Sequence, residues 1–117
     1  MSNEEMLEEL EMVVFGIVGH AGEAKGYAYK ALSFSEDGNF QEAEEMLKKC
    51  DEAVLKAHHI QTDLIQKEAG GNRMTITMLF VHAQDHLMTA LSERELIKKM
   101  IKQNKRILEL ENKIKNI

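Results

Sequence analysis

At 117 residues the chain can hold one domain around one hydrophobic core. Proline and tryptophan are absent and aromatics are few, while Glu, Lys, Leu, Ile, Met and Ala abound, a composition that favours helices and gives little support to β-structure. The net charge of −5 is uneven: Arg94 to Ile117 holds eight basic and three acidic residues, but they alternate with Ile and Leu at helical spacing, without aromatics to stack bases, so a solvated helix face explains them better than nucleic acid.

The first element is a helix from about Glu4 to Phe34. Leu7, Leu10, Val14, Ile17, Ala21, Ala24, Ala28 and Ala31 recur at alternating spacings of three and four, an apolar seam close to a heptad pattern. Gly16, Gly19, Gly22 and Gly26 interrupt it, each at a cost of up to about 1 kcal/mol of helix propensity. They point to close approach by another helix or to a bend.

SEDGN, residues 35–39, is the first break, and Asn39 with Glu42 reads as a capping-box start for a second helix. Its seam is Phe40, Ala43, Leu47, Cys50, Val54, Ala57, Gln61 and Leu64, and Gly70-Gly71 ends it. The third helix is expected to begin near Asn72 and to run on toward the end of the chain. From Ile76 to Leu91 it is apolar on nearly every side, which one stripe of contact inside a three-helix bundle does not require. Other copies of the chain are the expected cover. After Arg94 the pattern narrows to Ile97, Ile101, Asn104 and Leu108, read as a coiled-coil seam whose Asn fixes register and oligomer state. The whole chain, residues 1–117, is expected to be a single all-α domain, an antiparallel up-down-up three-helix bundle that oligomerises through its third helix.

No Gly-rich phosphate loop, CxxC pair or HExxH motif occurs. The acidic N-terminus does not read as a signal peptide, and no apolar run reaches the roughly 18–20 residues of a membrane span, so a cytoplasmic location is expected. The single cysteine, Cys50, lies on the seam of the second helix and reads as a buried, inert thiol.

Of the five histidines, His20 in GHAG reads as structural or surface. His58 and His59 point about 100° apart, one bordering the seam and the other facing outward. His82 and His86, in VHAQDHLM, lie one turn apart on one helix face, with Asp85 offset to the side and Gln84 pointing nearly the opposite way. Three readings stay open for this cluster. It could be a hydrogen-bonded network that sets core register. It could be a metal site with two imidazoles and a carboxylate. It could carry covalent catalysis, because an imidazole with an ordinary pKa of about 6.5 is a neutral nucleophile at neutral pH.

FGIVGHAGEAKGYAYKAL, AHHIQTDLIQKEAGGN and VHAQDHLMTAL together resemble the lactose/cellobiose-specific enzyme IIA family of the bacterial phosphoenolpyruvate-dependent sugar phosphotransferase system. The resemblance runs from about Glu4 to Met100 and implies a homotrimer of three-helix subunits, nine helices in all. It implies that His82, the first histidine of HxQDHxM, accepts a phosphoryl group from the phosphocarrier HPr and passes it to a cysteine of the cognate IIB component. It implies that His86 supports the phosphoryl site, and that Asp85 shares Mg²⁺ or another divalent cation with two other copies at the threefold axis. The sugar of such a system, a β-linked disaccharide of the cellobiose, lactose or chitobiose class, does not touch this component. The membrane is met only through the IIC permease. The rival reading is a non-catalytic metal-binding or scaffolding bundle.

Overall fold

The computed structural model describes residues 2–117, and these form three α-helices: α1 (Asn3–Glu36), α2 (Phe40–Ala69) and α3 (Met78–Lys115). Each boundary has a chemical cause. Ser2 caps α1 by accepting the Glu5 N–H at 3.2 Å, and Glu4 and Glu5 meet the positive end of the helix dipole. At the other end the Asn39 N–H reaches back to the Phe34 carbonyl and the Gly38 N–H to that of Ser35. This is a Schellman motif, and Gly38 supplies its left-handed residue at φ +80°. Gly71, at φ +98°, closes α2 in the same way, with the Asn72 N–H bonded to the Lys67 carbonyl.

Two expected boundaries differ. The third helix begins at Met78, not near Asn72; residues 72–77 are irregular, and Thr77 takes the cap position, its Oγ1 accepting the Phe80 N–H at 3.1 Å. Asn39 precedes α2 but makes no side-chain cap hydrogen bond, so the capping box read from Asn39 and Glu42 does not form.

The first seam is buried from Leu10 to Ala31, while Leu7 stays half exposed. α1 is the spine: it packs along both other helices, whereas α2 and α3 meet at few places. Gln61 on α2 donates to the Oε1 of Gln84 on α3 at 2.9 Å, and Asp51 on α2 pairs with Arg94 at 3.3 Å and Lys98 at 3.2 Å. Nine of the seventeen buried apolar residues are alanine, so the helices approach closely around a thin core. Of the four α1 glycines only Gly16 marks such an approach; a Cβ there would lie 2.9 Å from Ile60 Cδ1, while Gly19, Gly22 and Gly26 face open space.

The late part of α3 corrects one further expectation. Ile97 is buried with Ala24, Ala28, Cys50, Ala53 and Val54, and Ile101 packs against the same cluster. Asn104 donates to Ser35 Oγ at 2.9 Å, and Ser35 in turn donates to the Leu32 carbonyl at 2.7 Å. The seam of Ile97, Ile101 and Asn104 therefore serves packing within the chain, and Asn104 sets the register of α3 on α1. The opposite side of α3 is bare: Met78, Val81, Met88, Leu96, Met100, Ile107, Leu110 and Ile114 are all between 44% and 86% exposed. A core made largely of alanine leaves these larger side chains uncovered, and their burial needs more surface than one chain offers. Among the described residues no helix is long and apolar enough to cross a membrane.

Candidate functional site

α3 places His82, Asp85 and His86 by its pitch of 100° per residue. Ala83, Leu87 and Ala90 face the core and are essentially inaccessible. Asp85 falls on the opposite side, in the bare row between Val81 and Met88. His82 stands at the border of that row and is exposed; His86 lies further round toward the core and is half-buried. One rigid turn thus carries core, site and uncovered face on three sides.

The two imidazoles meet edge to face, with ring centroids 4.5 Å apart and planes at 89°. Their Nε2 atoms are 3.1 Å apart, a hydrogen bond in which one ring donates and the other accepts. The His86 Nε2–H can thus hold the Nε2 lone pair of His82, with the His82 proton on Nδ1. In that tautomer His82 offers a neutral nucleophilic nitrogen with a hydrogen-bond donor beside it. Thr89, one turn on, donates its hydroxyl to the carbonyls of Asp85 at 2.9 Å and His86 at 3.1 Å, tying down the backbone beneath the pair. A threonine three residues after His86 and four after Asp85 is the signal for that support in the sequence.

The carboxylate of Asp85 makes no hydrogen bond or ion pair among the described residues, and its neighbours in the row are apolar. Among those residues no three His, Cys, Asp or Glu side chains gather where they could hold one ion. One chain therefore brings a single carboxylate donor. If the row is covered by other copies, a hard cation with oxygen ligands suits several such carboxylates brought together.

The remaining candidates lie elsewhere. His58 and His59 on α2 are both exposed, so neither borders the seam as expected. His20 is half-buried, and its Nδ1 is inaccessible and without a hydrogen-bond partner among the described residues. Gln84 turns away from the histidines to meet Gln61, as its helical phase predicts. Cys50 is wholly buried; burial first, then the Asp51 carboxylate, raises its thiol above the ordinary 9.0, against the lowering effect of Arg94 and Lys98. Basic groups are thus nearer than the sequence suggested, yet the thiol stays protonated and inert. A wide cleft between the start of α1, Leu64 and Lys67 of α2, and residues 72–75 is lined by neither His82 nor His86. The histidine pair sits on an open flank that a protein can approach.

Residues 12–105 match the family model "PTS system, Lactose/Cellobiose specific IIA subunit". The lichenan-specific phosphotransferase enzyme IIA component of Bacillus subtilis is 40% identical over 104 residues, which is 89% of this chain and 94% of that protein. The lactose-specific EIIA component of Lacticaseibacillus casei is 43% identical over 106 residues, 91% and 95% of the two chains. Among solved structures, a cellobiose-specific enzyme IIA from Bacillus anthracis superposes with a TM-score of 0.84 at 38% identity, covering 93% of this chain and 94% of that one. The IIA(chitobiose)–HPr complex of Escherichia coli gives 0.74 at 39% identity, covering 84% and 95%.

Proposed function

The chain belongs to the lactose/cellobiose-specific IIA family of the sugar phosphotransferase system, and from that premise we propose that it is a cytoplasmic phosphoryl carrier with His82 as the carrying residue. The donor is HPr, the partner named in the complex of the chitobiose relative. The acceptor is a cysteine of the cognate IIB component. The observation that carries the reading is the 3.1 Å contact between the Nε2 atoms of His82 and His86 on an exposed flank of α3.

The transfer runs in two balanced steps. The His82 Nε2 lone pair attacks phosphorus, a P–N bond forms, and the bond between phosphorus and the donor breaks with its electron pair returning to the donor. The IIB thiolate then attacks the same phosphorus, the P–N bond breaks, and His82 recovers its lone pair. His86, released from its hydrogen bond with His82, turns its Nε2–H to a phosphoryl oxygen and stabilises the charge that moves with the group. No nucleotide loop is needed, because the phosphoryl group arrives on a protein and catalysis is mainly alignment.

The working unit is a homotrimer in which the bare rows of three α3 helices meet. Asp85 from each copy then faces the axis, where Mg²⁺ or a similar hard divalent cation fits three carboxylates. When bound, such a cation supplies charge neutralisation between subunits. The transported sugar is a β-linked disaccharide, of the class that relatives named for cellobiose, lactose and chitobiose serve.

The test supplies phosphoenolpyruvate, enzyme I and HPr and follows uptake of one acid-labile phosphoryl group by intact mass. The wild-type chain is expected to take it up and His82→Ala to take up none. Uptake by His82→Ala at the wild-type rate overturns the assignment.

A further inference from the structure

The 3.1 Å between the Nε2 atoms of His82 and His86 also fits a ligand other than a phosphoryl group. A borderline divalent cation such as Zn²⁺ lies about 2.0–2.1 Å from an imidazole nitrogen. Two such nitrogens on one ion are then roughly 2.9 Å apart at a square corner and about 3.35 Å apart at a tetrahedral one. The pair stands inside that interval. The rings are one turn apart on a rigid helix, the Thr89 hydroxyl ties down the carbonyls of Asp85 and His86 beneath them, and the flank they occupy is open. A turn of one ring about χ2, a broad torsion in histidine, aims both lone pairs at one point.

The proton count allows this. In the hydrogen-bonded pair one Nε2 carries a proton. Chelation uses both lone pairs, so that ring gives its Nε2 proton to solvent and takes one at Nδ1; each neutral ring still holds one proton. The local field favours a cation as well. Residues 1–19 hold five carboxylates, Glu4, Glu5, Glu8, Glu9 and Glu11, and no lysine or arginine. Leu10, Val14 and Ile17 of that stretch pack in one cluster with Ala83 and Leu87, which directly follow the two histidines, so this acidic stretch runs beside the pair. Two protein ligands leave the other coordination positions to water, so an ion here is exchangeable and not resident. Nitrogen donors suit Zn²⁺ and Cu²⁺ and are a poor match for Mg²⁺, which takes oxygen.

We propose that His82 and His86 chelate one exchangeable transition cation of the Zn²⁺ or Cu²⁺ class through their Nε2 atoms, and that the bound ion blocks phosphoryl uptake by holding the lone pair that attacks phosphorus. The site is separate from the oxygen site proposed for Asp85, whose carboxylate does not gather with the two rings among the described residues. The blockade rests on the phosphocarrier reading; the binding does not. Ion and phosphoryl group compete for one atom, so phosphorylation of His82 expels the ion, and the ion lowers phosphorylation by the same coupling.

The test titrates the full, EDTA-treated and buffer-exchanged chain with Zn²⁺ in excess Mg²⁺ by isothermal titration calorimetry. One Zn²⁺ per chain is expected, with Cu²⁺ bound more tightly. His82→Ala and His86→Ala should each weaken binding at least about tenfold, because one imidazole alone loses the advantage of a linked second ligand. Asp85→Leu, and a chain carrying both His58→Ala and His59→Ala, should keep the wild-type affinity, and the phosphorylated chain should bind none. In single turnover with purified phospho-HPr, uptake should fall in step with Zn²⁺ occupancy and return on adding EDTA. Far-UV circular dichroism confirms that each variant is folded. Wild-type Zn²⁺ affinity in His82→Ala or His86→Ala, or loss confined to the Asp85 or the His58 and His59 variants, overturns the site. Undiminished uptake at saturating Zn²⁺ overturns the blockade. A chain that binds Zn²⁺ through the pair but takes up no phosphoryl group even in EDTA overturns the phosphocarrier reading, and the blockade with it, while bearing out the site.

Discussion

Replacing His86 tests the chemistry of the site most directly. Its Nε2 lies 3.1 Å from that of His82, the atom assigned to carry the phosphoryl group, and no other side chain among the described residues donates to the His82 ring. A hydrogen bond to a charged group contributes about 1.5–3 kcal/mol. If His86 delivers that bond to the transferring oxygens, His86→Ala slows transfer from phospho-HPr by about 10- to 150-fold. His86→Gln, which keeps an N–H at a similar reach, recovers a large part of the loss. The assay is rapid-quench single turnover at saturating phospho-HPr, so that docking is not what is read. His86 is half-buried at the rim and not in the core, so thermal unfolding of both variants stays near wild type. A His86→Ala rate within about threefold of wild type would refute the role given to the pair, and equal losses in Ala and Gln would shift it from hydrogen bonding to shape.

Three other outcomes can be checked. Asp85→Leu removes carboxylates that, at an assumed 5 Å and an effective dielectric of 20, repel by about 3 kcal/mol per pair; sedimentation equilibrium should find the assembly as stable or more so and metal analysis should find the ion gone, and collapse to monomers would count against an axial Asp85. Gly22→Ala fills open space on α1 and improves helix propensity, so urea unfolding should gain about 0.5–1 kcal/mol; loss of assembly or of HPr reactivity instead would mean that this bare glycine face is covered by another molecule. Cys50, with its pKa raised by burial and Asp51, should be alkylated at pH 8 at least about tenfold more slowly than a cysteine peptide. Because its folded value lies above the unfolded one, the stability it contributes is full below pH 9.0 and is lost as pH rises through the folded value; peptide-like alkylation would contradict the buried thiol.

The limits of reading this fold from sequence show most clearly in α3. Periodicity located the helix, but two apolar rows run along it on opposite sides, and spacing alone does not say which is covered by the same chain. By spacing, Ile97, Ile101 and Asn104 read as a seam between subunits; the structure gives them to α1 and α2, because the thin alanine face of α1 has room for them and Ser35 stands opposite Asn104. The start of α3 at Met78, later than the expected Asn72, has a related cause: residues 72–77 contain no proline, and Thr77 caps without a Glu three residues on to announce it. The site was more legible. His82, Asp85 and His86 lie within about one turn of a rigid helix, where spacing fixes direction and sets Asp85 to one side, yet by spacing alone all three can converge on one groove; in the structure the histidines pair on the flank and Asp85 stands apart in the bare row. What spacing does not carry is rotamer choice: the edge-to-face rings and the contact between two Nε2 atoms depend on χ angles, and the role proposed for His82 rests on that contact.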